Sequence, residues 1–308
     1  MSPRPAALFD HELLVVTGKG GVGKTTVSTA LGVAAARRGL RVIVAEVAAR
    51  DDVTRTLGGE LELRDQEVEL AYGVHHTSIE PEAAMREYLI DQLPSRTLAG
   101  LLTDSRIFAA LAAAAPGLRE LLTIGKVWEL AQEDRRTPGA RPYDLVILDA
   151  PATGHGVAVL SAPHTFAGTA RVGRIARQAE KIDALVTNAQ RTAVVAVARP
   201  EELPVNETLQ LRGALEREVG LTLTLVVANR VTPARFSAAE ARSVAGCGEG
   251  PVVRTVLRSH RRARAQRAQV ARLRRGLNCP VVSLQDLLRP ALDADAIGTL
   301  ASDLERVL

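Results

Sequence analysis

Apolar residues in this chain fall into two patterns: short unbroken runs, and longer stretches where they recur every three or four positions. The unbroken runs are Leu13 to Thr17, Arg41 to Val47, Tyr143 to Asp149, Thr192 to Ala198, Leu223 to Ala228 and Pro280 to Leu284. Each has the length of a strand; Arg41 to Val47 reads as buried, and Pro280 to Leu284 as a last short strand. Val74 to Ile79 alternates like a short strand. The helical spacing between the first two runs extends through Arg38, and Gly39 supplies its stop. Strand, helix and strand in that order form a βαβ unit, which implies a parallel sheet. Pro81 to Arg136 is mostly helical by pattern, with breaks at Pro94 and Pro116-Gly117. The core helix of this stretch is expected from Leu118 to Gln132. Its broad apolar face suits packing onto the sheet or docking of a partner helix. The stretch from residue 81 to 136 is expected to form a helical insertion within a single α/β domain spanning 1–308. Asp293 to Leu308 reads as a closing helix with Asp293 as its cap. Met1 to His11 reads as a short polar tail.

The junction between the first run and its helix carries the chemistry. It reads Thr17-Gly18-Lys19-Gly20-Gly21-Val22-Gly23-Lys24-Thr25-Thr26. Gly18, Gly23, Lys24 and Thr25 satisfy G-x-x-x-x-G-K-[ST] in the required strand–loop–helix setting. Glycines let the backbone curl so that successive N–H groups face phosphate oxygens. A helix beginning near Lys24 adds its unsatisfied N–H groups and the positive end of its dipole. Lys24 can pair with β- and γ-phosphates, and the Thr25 hydroxyl can ligate Mg²⁺. Lysine is rare in this chain (Lys19, Lys24, Lys126 and Lys181), so two in one loop are hard to assign to packing.

A second element supports the first. Tyr143 to Asp149 is an apolar strand ending in an acid, and the Asp149 carboxylate can hold the water shell of Mg²⁺. Ligands on parallel sheets sit at the carboxyl ends of the strands. The loop Ala48-Ala49-Arg50-Asp51-Asp52 after the second strand is therefore expected beside the phosphates.

With its second lysine, the run from Gly18 to Thr26 resembles the deviant Walker A class of P-loop ATPases. Asp149-Ala150-Pro151-Ala152-Thr153-Gly154-His155 resembles the D-T-A-P-T-G-H switch of one branch of that class. That branch holds the arsenite-pump-driving and tail-anchored-protein-targeting ATPases. Pro116-Gly117-Leu118-Arg119-Glu120 is similar to its P-G-x-x-E helix start. The resemblance implies a P-loop NTPase fold, a mostly parallel sheet flanked by helices. It also implies ATP and Mg²⁺ as ligands and hydrolysis of ATP to ADP and phosphate. The nucleotide would be held by Gly18, Gly20, Gly21, Val22, Gly23, Lys24, Thr25 and Thr26, with Asn229 and Arg230 at the adenine. An isolated Asn at a strand end is otherwise a turn former. The metal would lie at Thr25 and Asp149. Lys19 would reach the phosphates of a partner across a dimer, either a homodimer or a heterodimer with a paralogous ATPase. Nucleotide state would be passed to a protein client. His155 reads as a switch-loop residue rather than a base, because water attack on ATP needs positioning more than a strong base. Arg199 to Thr208 looks like a family loop.

Three departures sharpen the picture. The branch carries an Asp after its second strand that orients the attacking water, and the aligned residue here is Ala48. Asp51 or Asp52 could substitute, displaced along the chain, and Lys19, Lys24 and Asp51 form the expected catalytic set. A regulatory subunit that hydrolyses poorly and pairs with an active paralogue is the second reading. Cys247 and Cys279 are too few and too far apart in sequence for the thiolate cluster that soft As(III) requires. The C-x-x-C that holds zinc between targeting-ATPase subunits is also missing.

Composition adds bounds. The chain has 308 residues, 46% of them hydrophobic, which is ample for one large α/β domain. No run of about 18 apolar residues is present, and the N-terminus lacks the pattern of a secretory leader. A cytoplasmic protein is expected. Net charge is +4, with arginine dominating the cations. Nine arginines lie between Arg254 and Arg275. Without interleaved aromatics this basic helix does not offer base stacking, so nucleic acid is disfavoured as a partner.

Overall fold

The computed structural model describes residues 5–47, 51–59, 66–85, 117–136, 139–169, 174–289 and 291–308. Ala48, Pro94, Pro116 and most of the expected helical insertion lie outside the described residues.

Eight strands form one sheet: β1 (Leu13–Thr17), β2 (Val42–Val47), β3 (Val68–Glu69), β4 (His75–Ile79), β5 (Leu145–Asp149), β6 (Thr192–Ala198), β7 (Leu223–Val231) and β8 (Val281–Gln285). Their order is β3-β4-β2-β5-β1-β6-β7-β8. Every pairing is parallel except the short edge strand β3, which runs antiparallel to β4. The chain starts at β1, works outward to β4, returns to β5 and then crosses to β6 on the other flank of β1. The reversal places a crevice at the carboxyl end of β1, where ligands of open parallel sheets bind.

The unbroken apolar runs are explained by two cores, one on each face. Leu14 and Val16 point to one layer, with α1 (Lys24–Arg37), the short α2 (Asp52–Leu57) and the closing helix. Leu13 and Val15 point to the other. There they meet α3 (Leu118–Leu130), α4 (Thr153–Thr169), α5 (Arg174–Val186) and α6 (Glu202–Glu218). Successive side chains of a strand alternate between faces, so a strand covered on both must be apolar at every position. The α3 stripe Leu121, Ile124, Val127 and Leu130 is buried in this second core, so that face is used for packing.

The remaining helices are α7 (Ala238–Ala245), α8 (Pro251–Gly276) and α9 (Ala294–Glu305). Asp293 caps α9 as expected, accepting from the Ala296 N–H at 2.8 Å. Ser237 and Glu240 close a reciprocal capping box at the start of α7. That S-x-x-E pattern is visible in the sequence.

Two expectations fail. The N-terminal stretch is not a polar tail: Pro5–Asp10 is a 3₁₀ turn whose Leu8 and Phe9 are buried in the α1-side core. Two adjacent apolar side chains outweigh the polar residues around them. Nor is Arg199 to Thr208 a loop. Only its first residues are; from Glu202 onward it is α6. Pro204 sits in its first turn, where no intrahelical partner awaits the missing N–H.

Candidate nucleotide site

The site is built on β1, the loop after it, and the start of α1. Gly23 precedes α1 at φ 93°, and Gly18 has φ 149°. Both conformations exclude ordinary side chains. Contact also excludes them: a Cβ on Gly18 would run into the Val197 carbonyl of β6, and one on Gly23 into the Asn229 amide of β7. The loop is therefore pressed onto β6, which neighbours β1, and onto β7 beyond it. Gly20 and Gly21 face open space, where no neighbouring atom lies within 4 Å of an added Cβ. The loop thus has a packed back and an open front, as a phosphate cradle requires.

The Thr25 hydroxyl, in the first turn of α1, donates to Asp149 Oδ2 at 2.5 Å. One turn on, Ser28 donates to Asp149 Oδ1 at 3.0 Å. Asp149 is 6% exposed. Burial pushes its pKa up to about 6, with the neighbouring Glu46 carboxylate adding to the rise. The Thr25 and Ser28 hydrogen bonds and the Lys24 ammonium oppose it. A hydroxyl and a carboxylate in contact beside a phosphate cradle are hard oxygen donors of the kind Mg²⁺ takes. The residues present therefore fit that ion.

Lys24 Nζ lies 3.4 Å from the Lys19 carbonyl, folded back over the loop. Lys19 projects from the loop and pairs with Glu207 of α6 at 2.5 Å. Both side chains are about one-third exposed (33% and 28%), so this pair contributes no more than about 1 kcal/mol.

Asn229 is buried at the end of β7, with Nδ2 donating to the Val22 carbonyl at 2.9 Å and Oδ1 accepting from the Arg230 N–H. It thus braces the phosphate loop. Gly21, Gly23, Thr26, Asn229 and Arg230 also line one cavity of about 290 Å³, together with Gln285 at the end of β8 and Asp286 and Leu287 after it. Arg230 has φ 57° and pairs with Asp286 at 3.5 Å. Asp51 precedes α2 in the left-handed conformation and makes no capping hydrogen bond. Short polar side chains tolerate that conformation.

The structure thus brings Gly18 to Thr26, Asp149, Asn229 and Arg230 together. The Lys19 side chain turns to Glu207, and Asp51 precedes α2. Sequence reasoning missed Glu46, a buried acid on β2 beside Asp149. A lone Glu inside an otherwise apolar strand was the available signal.

Among the described residues no helix is long and apolar enough to cross a membrane.

Comparison with known proteins agrees with this geometry. The anion-transporting ATPase family matches residues 11–171. The ATPase BagA of Mycobacterium tuberculosis is 33% identical over 257 residues, covering 80% of this chain and 72% of that protein. An arsenical pump-driving ATPase of Escherichia coli is 26% identical over 244 residues, 71% of this chain but only 39% of its own length. ATPase ASNA1 homolog 1 of Paramecium tetraurelia is 25% identical over 154 residues, 49% of this chain and 43% of that protein. With a phosphate cradle, its acid and the family match in agreement, the chain belongs to the anion-transporting ATPase family, that of the arsenite-pump-driving and tail-anchored-protein-targeting ATPases.

Proposed function

We propose that the chain binds and hydrolyses ATP with Mg²⁺ and couples its nucleotide state to a protein client or partner, working as a dimer. One observation carries this reading: the Thr25 hydroxyl, in the first turn of α1, meets the buried Asp149 carboxylate beside the loop.

The backbone N–H groups from Gly20 to Thr26 would cradle the phosphates, and the N-terminus of α1 would oppose their charge. Lys24 swings from the Lys19 carbonyl to the β- and γ-phosphates. Mg²⁺, held through Thr25 and Asp149, supplies neutralisation of charge on the phosphate oxygens when bound. Asn229 and Arg230, on the wall of the adjoining cavity, would face the base; an amide both donates and accepts, which suits adenine. Lys19 would leave Glu207 and reach the phosphates of a second protomer. The partly exposed pair that holds it is weak enough to open. A cation there stabilises charge developing on the leaving oxygen. Asp51 is the loop carboxylate nearest in sequence to Ala48 and a candidate for orienting the attacking water.

Ala48 favours a second reading, a regulatory subunit that binds nucleotide and pairs with an active paralogue. Steady-state Mg-ATP hydrolysis by the purified chain, run beside Lys24→Ala and a nucleotide titration, separates the two. Turnover that disappears in Lys24→Ala supports the ATPase. Tight binding without turnover favours the regulatory subunit, and absence of binding rejects both. Sedimentation with and without ATP tests the dimer.

A further inference from the structure

The acid expected after β2 is missing at residue 48, yet the strand carries one two residues earlier. Glu46 is 2% exposed in a strand whose other residues are apolar. Side chains alternate along a strand, so Glu46 shares the face of Val42 and Val44, which is the face covered by α1. Its register partner on β5 is Asp149. Adjacent strands lie about 4.8 Å apart, so two carboxylates stand side by side under the start of α1.

The two acids are used differently. Asp149 commits both oxygens to Thr25 and Ser28. Glu46 commits one. Its Oε2 accepts from the backbone N–H of Asp52 at 3.0 Å and of Val53 at 3.4 Å, and lies 3.5 Å from His76 Nε2. His76 in turn contacts the Thr54 hydroxyl of α2 at 2.9 Å. Glu46 Oε1 is buried and without a partner. A buried carboxylate oxygen left unpaired costs on the order of 1–3 kcal/mol or more. A purely structural clamp on α2 needs only Oε2 and leaves that cost unexplained.

We propose that Glu46 is a positioning residue of the Mg²⁺ site: its free oxygen accepts from a water of the metal's shell, while the other ties that shell to the first turn of α2. The proposal rests on the Mg-ATP reading above. It gives the loop after β2 a direct connection to metal occupancy, and it supplies from β2 the negative charge that Ala48 lacks.

The test is Mn²⁺ binding to the ADP-loaded full chain, read as loss of the free aqua-ion signal in electron paramagnetic resonance. Wild type, Glu46→Gln and Asp149→Asn are compared. Gln keeps the volume and an acceptor for the Asp52 and Val53 amides but removes the charge. Glu46→Gln is expected to weaken Mn²⁺ about tenfold, the usual scale for an outer group of a metal site. ADP affinity in EDTA should stay within about twofold of wild type, since that readout contains no metal. Mn²⁺ affinity equal to wild type in Glu46→Gln overturns the proposal. So does an equal loss of ADP affinity with and without metal, which would make Glu46 a structural clamp. If Glu46→Gln does not fold, Glu46→Asp decides. Retracting the carboxylate by one methylene should weaken Mn²⁺ while sparing ADP in EDTA, and no change in Mn²⁺ rejects the idea. A wild-type chain that binds ADP with no Mn²⁺ at all rejects the metal reading of the whole site. Wild-type Mn²⁺ binding that Glu46→Gln preserves rejects only the role of Glu46.

Discussion

Two regions rich in positive groups, the phosphate loop and α8, are built in opposite ways. The loop has only Lys19 and Lys24, each held by a specific oxygen, the Glu207 carboxylate and the Lys19 carbonyl. Its backbone is fixed by Gly18 and Gly23 against β6 and β7. α8 has nine arginines on one 26-residue helix, and among the described residues none of them forms an ion pair. Its anchoring comes from Ala263, Gln266, Val270 and Leu273, with Gln266 accepting from the Thr232 N–H at 2.7 Å. The difference teaches that the amount of charge does not make a site. Two placed cations beside aligned N–H groups suit an anion, whereas the α8 arginines, of which Arg254, Arg261 and Arg274 bond only backbone carbonyls, form a solvated face covering the β7–β8 end of the sheet.

The strongest way to break this contrast is to remove the placed cation. Lys24→Ala should lower ATP affinity by at least about 100-fold, the loss expected of a charge-assisted contact of about 3 kcal/mol. Fluorescence titration with a labelled nucleotide measures it, and affinity near wild type would mean that the loop is not the phosphate site. Lys19→Ala sharpens the distinction within the loop. Its ATP affinity should stay within about threefold while turnover falls by about 100-fold, because the lysine is asked to act on developing charge. A normal rate in Lys19→Ala would end the idea that this lysine works across a dimer.

Asp149 makes a prediction without any ligand. Its folded pKa of about 6 lies above the ordinary carboxylate value of 3.8. The folded chain therefore holds that proton more tightly than the unfolded chain. The stabilising contribution is fully present below about pH 4 and is lost as pH rises through about 6, amounting to about 3 kcal/mol by neutrality. Denaturant melts of the ligand-free chain between pH 4.5 and 7.5 should show this loss, and Asp149→Asn should flatten it. A mutant with the same pH slope as wild type would refute the assignment.

The smallest effect is expected at the other pole of the comparison. Arg254→Ala, Arg258→Ala and Arg261→Ala together should change ATP affinity by less than about twofold, since exposed charges are screened within about 8 Å at physiological salt. A tenfold loss would instead make α8 part of the nucleotide site.

Much of this was legible in the order of the residues. The runs that became β1, β5 and β6 are continuous because each faces a core on both sides. The loop could be read because its chemistry is local: glycine, lysine and threonine act through a backbone shape that the same residues create. Less was legible where long-range packing decided. The segment after Arg199 became helix because Pro204 falls in a first turn, a fact of register rather than composition. α5 carries a strong helical period that was open to reading, with Ala179, Ile182 and Val186 on one face, whereas α4 gave no clear signal. In α4 the cause is apolar residues on every side and an internal Pro163, which blur the helical period.

By itself, then, the sequence determined the alternation of strand and helix, the cradle from Gly18 to Thr26 and the acid at Asp149, because each follows from residues adjacent in the chain. Only the tertiary structure decided which acids stand together. Glu46 and Asp149 lie about a hundred residues apart and meet because β2 and β5 are neighbours in the sheet. Asn229 came to brace the loop rather than turn a corner because β7 ends beside Val22. Strand order is set by how two helical layers cover one twisted sheet, and that is a property of the packed whole.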